Sequence, residues 1–197
     1  MLKIAHRINT IEELNNIDKN LGVEIDVRYH NNRLILHHNP FGHHESTPCD
    51  FESFLKEYKH KLLILNVKTE GIENKCIELM EKYNIKDWFF LDLSMPYFVK
   101  YAKYSDLPKN HLCVRFSEHE PIEYALEYKD CAEWIWIDCF KSLPINDENY
   151  NIIKKHFKIC LVSPELQGFE LKEIENFKNI LKEKEIDAVC TDYPELW

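Results

Sequence analysis

The chain has 197 residues, of which 45% are hydrophobic and 13% aromatic, and its formal net charge is −9. This composition argues against a disordered chain and predicts a single globular domain, residues 1–197, with a substantial core. The acidic balance argues against a nucleic-acid partner, because binding a phosphate backbone requires clustered lysine and arginine side chains.

Short apolar runs alternate with segments of helical periodicity along the chain. Strands are predicted at residues 2–5, 23–27, 34–36, 62–67, 88–93, 111–116, 134–139, 158–162 and 188–190. Helices are predicted at residues 11–21, 51–58, 72–83, 121–128 and 170–183. The strand at residues 34–36 follows Asn31-Asn32 and is expected to form a hairpin with the strand before it.

The other strands are nearly continuous in hydrophobicity, which is typical of parallel strands covered on both faces. Their alternation with helices predicts an α/β fold, a compact (βα)8 TIM barrel. A chain of 197 residues is short for a fold that usually needs about 250, so its helices and loops must be short. The main alternative is a doubly wound open sheet. That fold normally has a glycine-rich turn after its first strand, and this chain, with four glycines, has no such turn.

Polar side chains recur where the predicted strands end. They are His6, Arg7, Glu24, Asp26, Arg28, His37, Asn66, Lys68, Asp92, Arg115, Asp138, Glu165 and Asp192. The carboxyl ends of barrel strands form one rim, which carries the active site in enzymes of this fold. Each residue alone is equally well explained as a loop residue or a helix cap, but their recurrence predicts a polar pocket.

Glu24 and Asp26 are two residues apart on one predicted strand, so their side chains project to the same face. Two converging carboxylates require a compensating cation, and ligands that are all oxygen favour Mg²⁺ or Ca²⁺ over Zn²⁺. The alternative is an exposed polar face of an edge strand. It is disfavoured by the apolar residues that flank the pair, Val23, Ile25 and Val27.

His6 and His37 flank this carboxylate pair in sequence, and histidine titrates near neutral pH. One of them can therefore deprotonate a nucleophile while the other protonates a leaving group. Lys68 and Arg115 are candidates for binding a phosphate, Arg115 through two parallel hydrogen bonds.

The remaining reactive side chains follow no catalytic pattern. His38, His43 and His44 form a histidine-rich loop, for which a solvated loop and transition-metal binding both stay open. The seven cysteines are scattered, include no Cys-x-x-Cys pair and mostly lie in apolar runs, which predicts buried free thiols in a reducing compartment. No apolar stretch approaches membrane-spanning length and the chain starts directly with a strand. We therefore expect a cytoplasmic protein without a signal peptide or membrane span.

Four segments form a pattern in a fixed order along the chain. They are Ile4-Ala-His6-Arg7, Gly22-Val-Glu24-Ile-Asp26-Val27, Leu34-Ile-Leu-His37 with Pro40, and Asp187-Ala-Val-Cys-Thr191-Asp192-Tyr-Pro194. This pattern resembles the glycerophosphodiester phosphodiesterase family, part of the same broad group as phosphatidylinositol-specific phospholipase C. The resemblance implies a TIM barrel with a divalent metal. It also implies His6 and His37 as acid and base, Glu24 and Asp26 as metal ligands, and Lys68 near the phosphate.

Three positions depart from that family's pattern. Ile8 follows His-Arg where the family usually has glycine, and His38 follows the second histidine where it usually has aspartate. Asn66 stands where the family has its third metal carboxylate, so the resemblance implies Asn66 as a ligand of lower charge and weaker metal binding. Segments at residues 92–96, 114–118 and 162–168 resemble a short divergent subgroup that is associated with surface-polysaccharide pathways.

The leading hypothesis from the sequence is a metal-dependent phosphoric diester hydrolase that acts on a small glycerol- or sugar-phosphate diester. A divalent cation, Arg7, Lys68 and Arg115 would offset the phosphoryl charge, while His6 and His37 move protons. If the substrate carries a hydroxyl vicinal to the diester, as the substrates of the resembled family do, that hydroxyl would attack first and give a cyclic phosphate, which water would then open or which would be the final product. The alternatives are a non-catalytic barrel that binds a phosphorylated sugar or lipid head group, and an aldolase with Lys68 as a Schiff base. The sequence leaves the oligomeric state open.

Overall fold

The structure is a computed structural model that describes residues 1–40 and 47–197. Its strands are Leu2–Ala5 (β1), Gly22–His30 (β2), Arg33–Leu36 (β3), Cys49–Asp50 (β4), Leu63–Val67 (β5), Trp88–Leu91 (β6), Cys113–Phe116 (β7), Trp134–Ile137 (β8), Lys158–Val162 (β9) and Ala188–Thr191 (β10). Its helices are Ile11–Asn16 (α1), Phe51–Glu57 (α2), Glu73–Lys82 (α3), Met95–Tyr104 (α4), Ile122–Leu126 (α5), Asp147–Lys154 (α6) and Lys172–Ile180 (α7). Short 3₁₀ turns lie at Lys109–His111, Pro164–Gln167 and Pro194–Leu196.

Eight of these strands form a closed ring of parallel strands. β1 pairs with β2 and β10; from β2 the ring continues through β5 to β6, and from β10 through β9 and β8 to β7. The ring closes between β6 and β7 through one parallel bridge, Phe90 to Leu112. The predicted TIM barrel is therefore confirmed. The predicted hairpin is also confirmed, because β3 pairs antiparallel with β2 and adds β4 outside the ring.

The first helix is shorter than predicted. It begins where Thr10 and Glu13 form a capping box, but it ends at Asn16 rather than at residue 21. The Asp18 side chain accepts a hydrogen bond from the backbone N–H of Asn20 at 2.9 Å, so a local turn replaces the continued helix.

Two helices, α4 and α6, were not predicted from the sequence. α6 starts at a reciprocal cap between Asn146 and Asn149, a weaker signal than a Ser or Thr paired with Glu. α4 follows Ser94 and has Pro96 in its first turn. Within residues 1–40 and 47–197, no helix combines the length and apolar character needed to cross a membrane.

The buried apolar side chains form two layers, one inside the ring of strands and one between the strands and the helices. The inner layer fills the barrel with bulky side chains, among them Ile4, Ile64, Phe89 and Trp134. Packing around Gly22 is tight, because a Cβ at this position would displace the end of the Ile4 side chain and lie 3.1 Å from the carbonyl oxygen of Leu62. The barrel axis is therefore packed below the rim, as in other barrels of this type.

Candidate active site

A cavity of about 170 Å³ lies at the carboxyl ends of the barrel strands. The described residues that line it include His6, Arg7, His38, Asn66, Lys68, Asp92, Arg115, Trp136, Asp138 and Gln167. These residues are far apart in sequence and meet because parallel strands bring their carboxyl ends to one rim. Five of the predicted site residues line this cavity: His6, Arg7, Asn66, Lys68 and Arg115.

Glu24 and Asp26 lie behind the cavity wall on β2, with 1% and 0% of their surfaces exposed. Glu24 accepts hydrogen bonds from the backbone N–H of Arg7 at 2.8 Å and from Nδ2 of Asn66 at 2.9 Å. Both donors are neutral. Burial and, secondarily, repulsion by Asp26 raise the pKa of Glu24 to about 7. Among the described residues, therefore, no cationic side chain is hydrogen-bonded to Glu24.

Asp26 has more donors than Glu24. Asn9 donates from Nδ2 to one carboxylate oxygen at 2.8 Å, and its Oδ1 accepts the backbone N–H of Asp26 at 2.8 Å. Nδ1 of His38 and Nζ of Lys68 lie 3.1 and 3.4 Å from the other oxygen. Burial alone would raise the pKa of Asp26, but the hydrogen bond from Asn9 and the charges of Lys68 and His38 lower it on balance. Asp26 is thus the ionised member of the pair.

The fit of a divalent cation depends on the oxygen atoms that this region offers. Among the described residues, no group of three His, Cys, Asp or Glu side chains is arranged to hold a metal ion. However, Oδ1 of Asn66 is buried and has no hydrogen-bond partner in the described part of the chain, whereas a buried polar atom normally has one. Together with the carboxylates of Glu24 and Asp26, this amide oxygen makes a donor set that fits Mg²⁺ or Ca²⁺.

His6 is oriented by Asp192, which follows β10. Nδ1 of His6 lies 2.9 Å from Oδ1 of Asp192. An ionised carboxylate only accepts, so in the neutral ring Nδ1 carries the proton and Nε2 carries the lone pair. Burial lowers the pKa of His6, and the hydrogen bond to Asp192 offsets part of this effect. Glu165 holds Asp192 in turn, since its Oε1 accepts the backbone N–H of Asp192 at 3.1 Å.

The structure brings His38 to the cavity together with His6. Nδ1 of His38 lies 3.1 Å from the Asp26 carboxylate. The predicted second histidine, His37, lies next to it in sequence, but its Nδ1 is 2.8 Å from the carbonyl oxygen of Asn39. Among the described residues that line the cavity, His38 is present and His37 is not.

The segment after β3 is fixed by Arg28, a residue for which the sequence predicts only a position at the rim. Its guanidinium donates to the carbonyl oxygens of His37 and His38 at 3.0 and 2.7 Å. β3 ends at Leu36. The alternation of side chains along a strand therefore does not predict whether His37 or His38 faces the barrel. His43 and His44 lie outside the described residues.

Lys68 lies between two carboxylates at the rim. Its Nζ is 3.4 Å from Asp26 and 3.6 Å from Asp92, and 17% of its side-chain surface is exposed. This ammonium group is therefore held in place and still reaches the cavity, as a phosphate-binding group requires.

Arg115 bridges three carboxylates on the opposite side of the cavity. Its guanidinium contacts Asp92 and Asp138, and its Nε lies 3.2 Å from Glu120. Asp138 is also bonded by Nε2 of Gln167 at 2.8 Å. A bound phosphate would displace one of these carboxylates and accept hydrogen bonds from the planar guanidinium of Arg115.

Two rim residues have left-handed backbone conformations. Arg7 has φ 52° and Asp92 has φ 60°. Aspartate adopts this conformation with little strain, but for arginine it costs about 1 kcal/mol. The hydrogen bond from Arg7 N–H to Glu24 offsets this cost and turns the chain sharply after β1.

Solved structures of other proteins share the fold of this chain. A glycerophosphoryl diester phosphodiesterase from Parabacteroides distasonis ATCC 8503 superposes with a TM-score of 0.68 and 11% identity, covering 99% of this chain and 84% of the other. A glycerophosphodiester phosphodiesterase from Agrobacterium tumefaciens str. C58 superposes with a TM-score of 0.71 and 12% identity, covering 100% and 97%. At these identities the likeness shows a shared fold. No protein-family model and no curated protein sequence matches the chain.

Proposed function

We propose that this chain is a phosphodiesterase that hydrolyses a small glycerol- or sugar-phosphate diester. One observation carries the proposal: a carboxylate-oriented histidine and three cationic side chains line one cavity, and a buried carboxylate pair lies directly behind its wall. Hydrolysis of a phosphodiester needs these groups, because it requires proton transfer at two oxygens and stabilisation of phosphoryl charge. The shared fold with two proteins described as phosphodiesterases supports the same reaction class.

The proposed mechanism assigns proton transfer to His6 and His38. Nε2 of His6 takes the proton from the attacking hydroxyl, and Asp192 stabilises the imidazolium ion that forms. His38, held by Asp26, gives a proton to the departing alcohol oxygen. If the attacking hydroxyl belongs to the substrate and is vicinal to the phosphate, the first product is a cyclic phosphate, which water then opens.

Positive side chains bind and orient the phosphoryl group. We assign Arg7, Lys68 and Arg115 to this role, because all three line the cavity that His6 faces. Glu24, Asp26 and the amide oxygen of Asn66 would hold a divalent cation, which would supply further stabilisation of the phosphoryl charge.

The proposed setting follows from the chemistry of the chain. We propose that residues 1–197 act as one barrel domain in the cytoplasm, which is supported by seven cysteines that are all free. A sugar-phosphate substrate would fit a role in surface-polysaccharide metabolism, as the resemblance of three rim segments implies.

The test is a panel of glycerol- and sugar-phosphate diesters assayed with Mg²⁺, with Ca²⁺ and with a chelator. We expect turnover of at least one diester, loss of most of it in chelator, and a decrease of at least about 100-fold in His6→Gln. His156→Gln is the matched control, since His156 is exposed and does not line the cavity.

Equal turnover in the His6→Gln and His156→Gln proteins would contradict the proposed mechanism. Tight binding of phosphorylated sugars without turnover of any diester would favour the non-catalytic role instead.

A further inference from the structure

A second cavity opens through the wall of the barrel beside the central one. It has a volume of about 300 Å³, against about 170 Å³ for the central cavity. It lies where the ring is least connected, because β6 and β7 are joined by the single bridge from Phe90 to Leu112. No further ladder pairing joins these two strands in the described part of the chain, and the cavity is lined by residues of β7 and of the segments that follow β6 and β7; we call it the seam cavity.

The seam cavity and the central cavity share two residues, Asp92 and Arg115. The side chain of Arg115, which is 26% exposed, therefore borders both spaces. A phosphate bound to Arg115 would lie at the boundary and could extend one ester group into each cavity. This is the geometry that a diester, with two different alcohols on one phosphorus atom, requires.

The walls of the two cavities differ in chemistry. The central cavity is lined mainly by charged and polar groups, whereas most residues that line the seam cavity are apolar or aromatic: Leu93, Met95, Phe98, Cys113, Val114 and Tyr124. Its charged residues, Asp92, Arg115 and Glu120, are already paired with one another through Arg115. The wall therefore offers burial of carbon rather than hydrogen bonds to hydroxyl groups.

The wall of the seam cavity is held together by contacts between its two sides. The hydroxyl of Tyr124, on α5, lies 3.3 Å from Sδ of Met95 at the start of α4. Glu120 accepts from the Ser117 hydroxyl at 2.9 Å and so fixes the loop that carries it beside Arg115. The space is consequently built by ordered side chains of both flanking helices.

We propose that the seam cavity is the subsite for the second alcohol of the phosphodiester, and that this alcohol has an apolar body such as an alkyl chain. This inference rests on the proposed function, in which the polyol side of the diester occupies the central cavity. It adds a substrate preference that the catalytic groups do not determine: the polyol is fixed by polar contacts, and the departing alcohol by burial.

The test is a series of glycerol-phosphate diesters whose second alcohol is methanol, butanol or hexanol. We expect kcat/KM to rise with chain length, by up to about fourfold for each methylene that is buried. In Met95→Asp, which places a charge on the apolar wall, the preference for hexyl over methyl should fall at least tenfold.

Leu171→Asp is the matched control, because Leu171 is similarly exposed, also lies at the start of a helix, and lines neither cavity. We expect it to retain the full preference. Calorimetric titration with hexyl phosphate and with methyl phosphate is a second measurement, which does not depend on turnover. The two ligands should differ in affinity for the unchanged protein and for Leu171→Asp. They should not differ in affinity for Met95→Asp.

The outcomes separate the subsite from the proposed function. Turnover with no chain-length preference, or with a preference that Met95→Asp leaves intact, would overturn the subsite while the phosphodiesterase function stands. Chain-length-dependent binding of alkyl phosphates without turnover of any diester would support the subsite and contradict the phosphodiesterase function.

Discussion

The two sides of the central cavity handle buried negative charge in different ways. On the β2 side, Glu24 is served by a backbone N–H and a side-chain amide, both neutral, and its pKa rises to about 7. On the β7 side, the guanidinium of Arg115 contacts Asp92 and Asp138 directly. The charge of Glu24 is therefore left to a proton or an incoming cation, whereas the carboxylates around Arg115 are paired within the protein.

This difference predicts which of the buried charged groups can be replaced without a large loss of stability. A carboxylate paired only with neutral donors can lose its charge without leaving a partner charge buried. An arginine that bridges carboxylates cannot be removed so simply, because its partners remain charged and partly buried. We therefore expect substitutions on the β2 side to affect activity, and those on the β7 side to affect stability as well.

The largest expected effect is on turnover in Glu24→Gln. We expect activity to fall about 10³-fold, because a neutral amide stabilises neither a cation nor developing charge as a carboxylate does. The free energy of unfolding should change by less than about 1 kcal/mol, since after rotation of the Asn66 amide the new side chain can donate to Oδ1 of Asn66 and still accept from the backbone N–H of Arg7. Steady-state kinetics and urea titration measure the two quantities.

Glu73→Gln is the control for that substitution. Glu73 is equally buried, on α3, and accepts from the backbone N–H of Gly71 at 3.2 Å outside the site. Its replacement should leave turnover unchanged. A similar loss of activity in both variants would show that buried charge, rather than the site, is responsible.

The next effect is on stability in Arg115→Met. We expect the free energy of unfolding to fall by about 3 kcal/mol, because Asp92 and Asp138 lose their common cation. Adding Asp138→Asn to this variant should restore part of the loss, since one unpaired carboxylate is then removed. An Arg115→Met protein as stable as the Glu24→Gln protein would remove the distinction between the two sides.

A smaller effect should separate the two neighbouring histidines. His38→Asn should lower turnover about 100-fold, because His38 contacts Asp26 at the cavity. His37→Asn should lower it less than about threefold, since Nδ1 of His37 contacts the carbonyl oxygen of Asn39. The reverse order of effects would restore the role that the sequence pattern assigned to His37.

The smallest effect is a shift in pH dependence in Asp192→Asn. Asp192 raises the pKa of His6 against the lowering effect of burial. Removing its charge should therefore lower the pKa of His6 further, and the limb of the rate profile that reports His6 should move to lower pH. A pH–rate profile with the same diester substrate measures the shift, and movement to higher pH would contradict the assigned contact.

Much of the site followed from strand periodicity. Glu24 and Asp26 were predicted to share a face because they are two apart on a strand, and both side chains do lie buried on one side of β2. Lys68 and Arg115 were predicted at the rim because they follow apolar runs. The barrel itself followed from the alternation of strands and helices.

Other contacts leave no trace in the sequence pattern. Asn9 forms two hydrogen bonds with Asp26 across a loop, and neither helical nor strand periodicity relates the two positions. The choice between His37 and His38 depends on how the chain turns after Leu36, beyond the last residue of β3. Helix α1 ends early because the Asp18 side chain bonds a nearby backbone N–H, a local competition that apolar spacing does not register.

The single bridge from Phe90 to Leu112 makes one junction of the ring different from all the others. A closed barrel has no free sheet edge, but this junction is the nearest approach to one, and local opening should begin there. Native-state amide hydrogen exchange should accordingly be fastest, among the barrel strands, in β6 and β7. Thermal fluctuations at this position would separate β6 from β7 without breaking a full ladder of backbone hydrogen bonds.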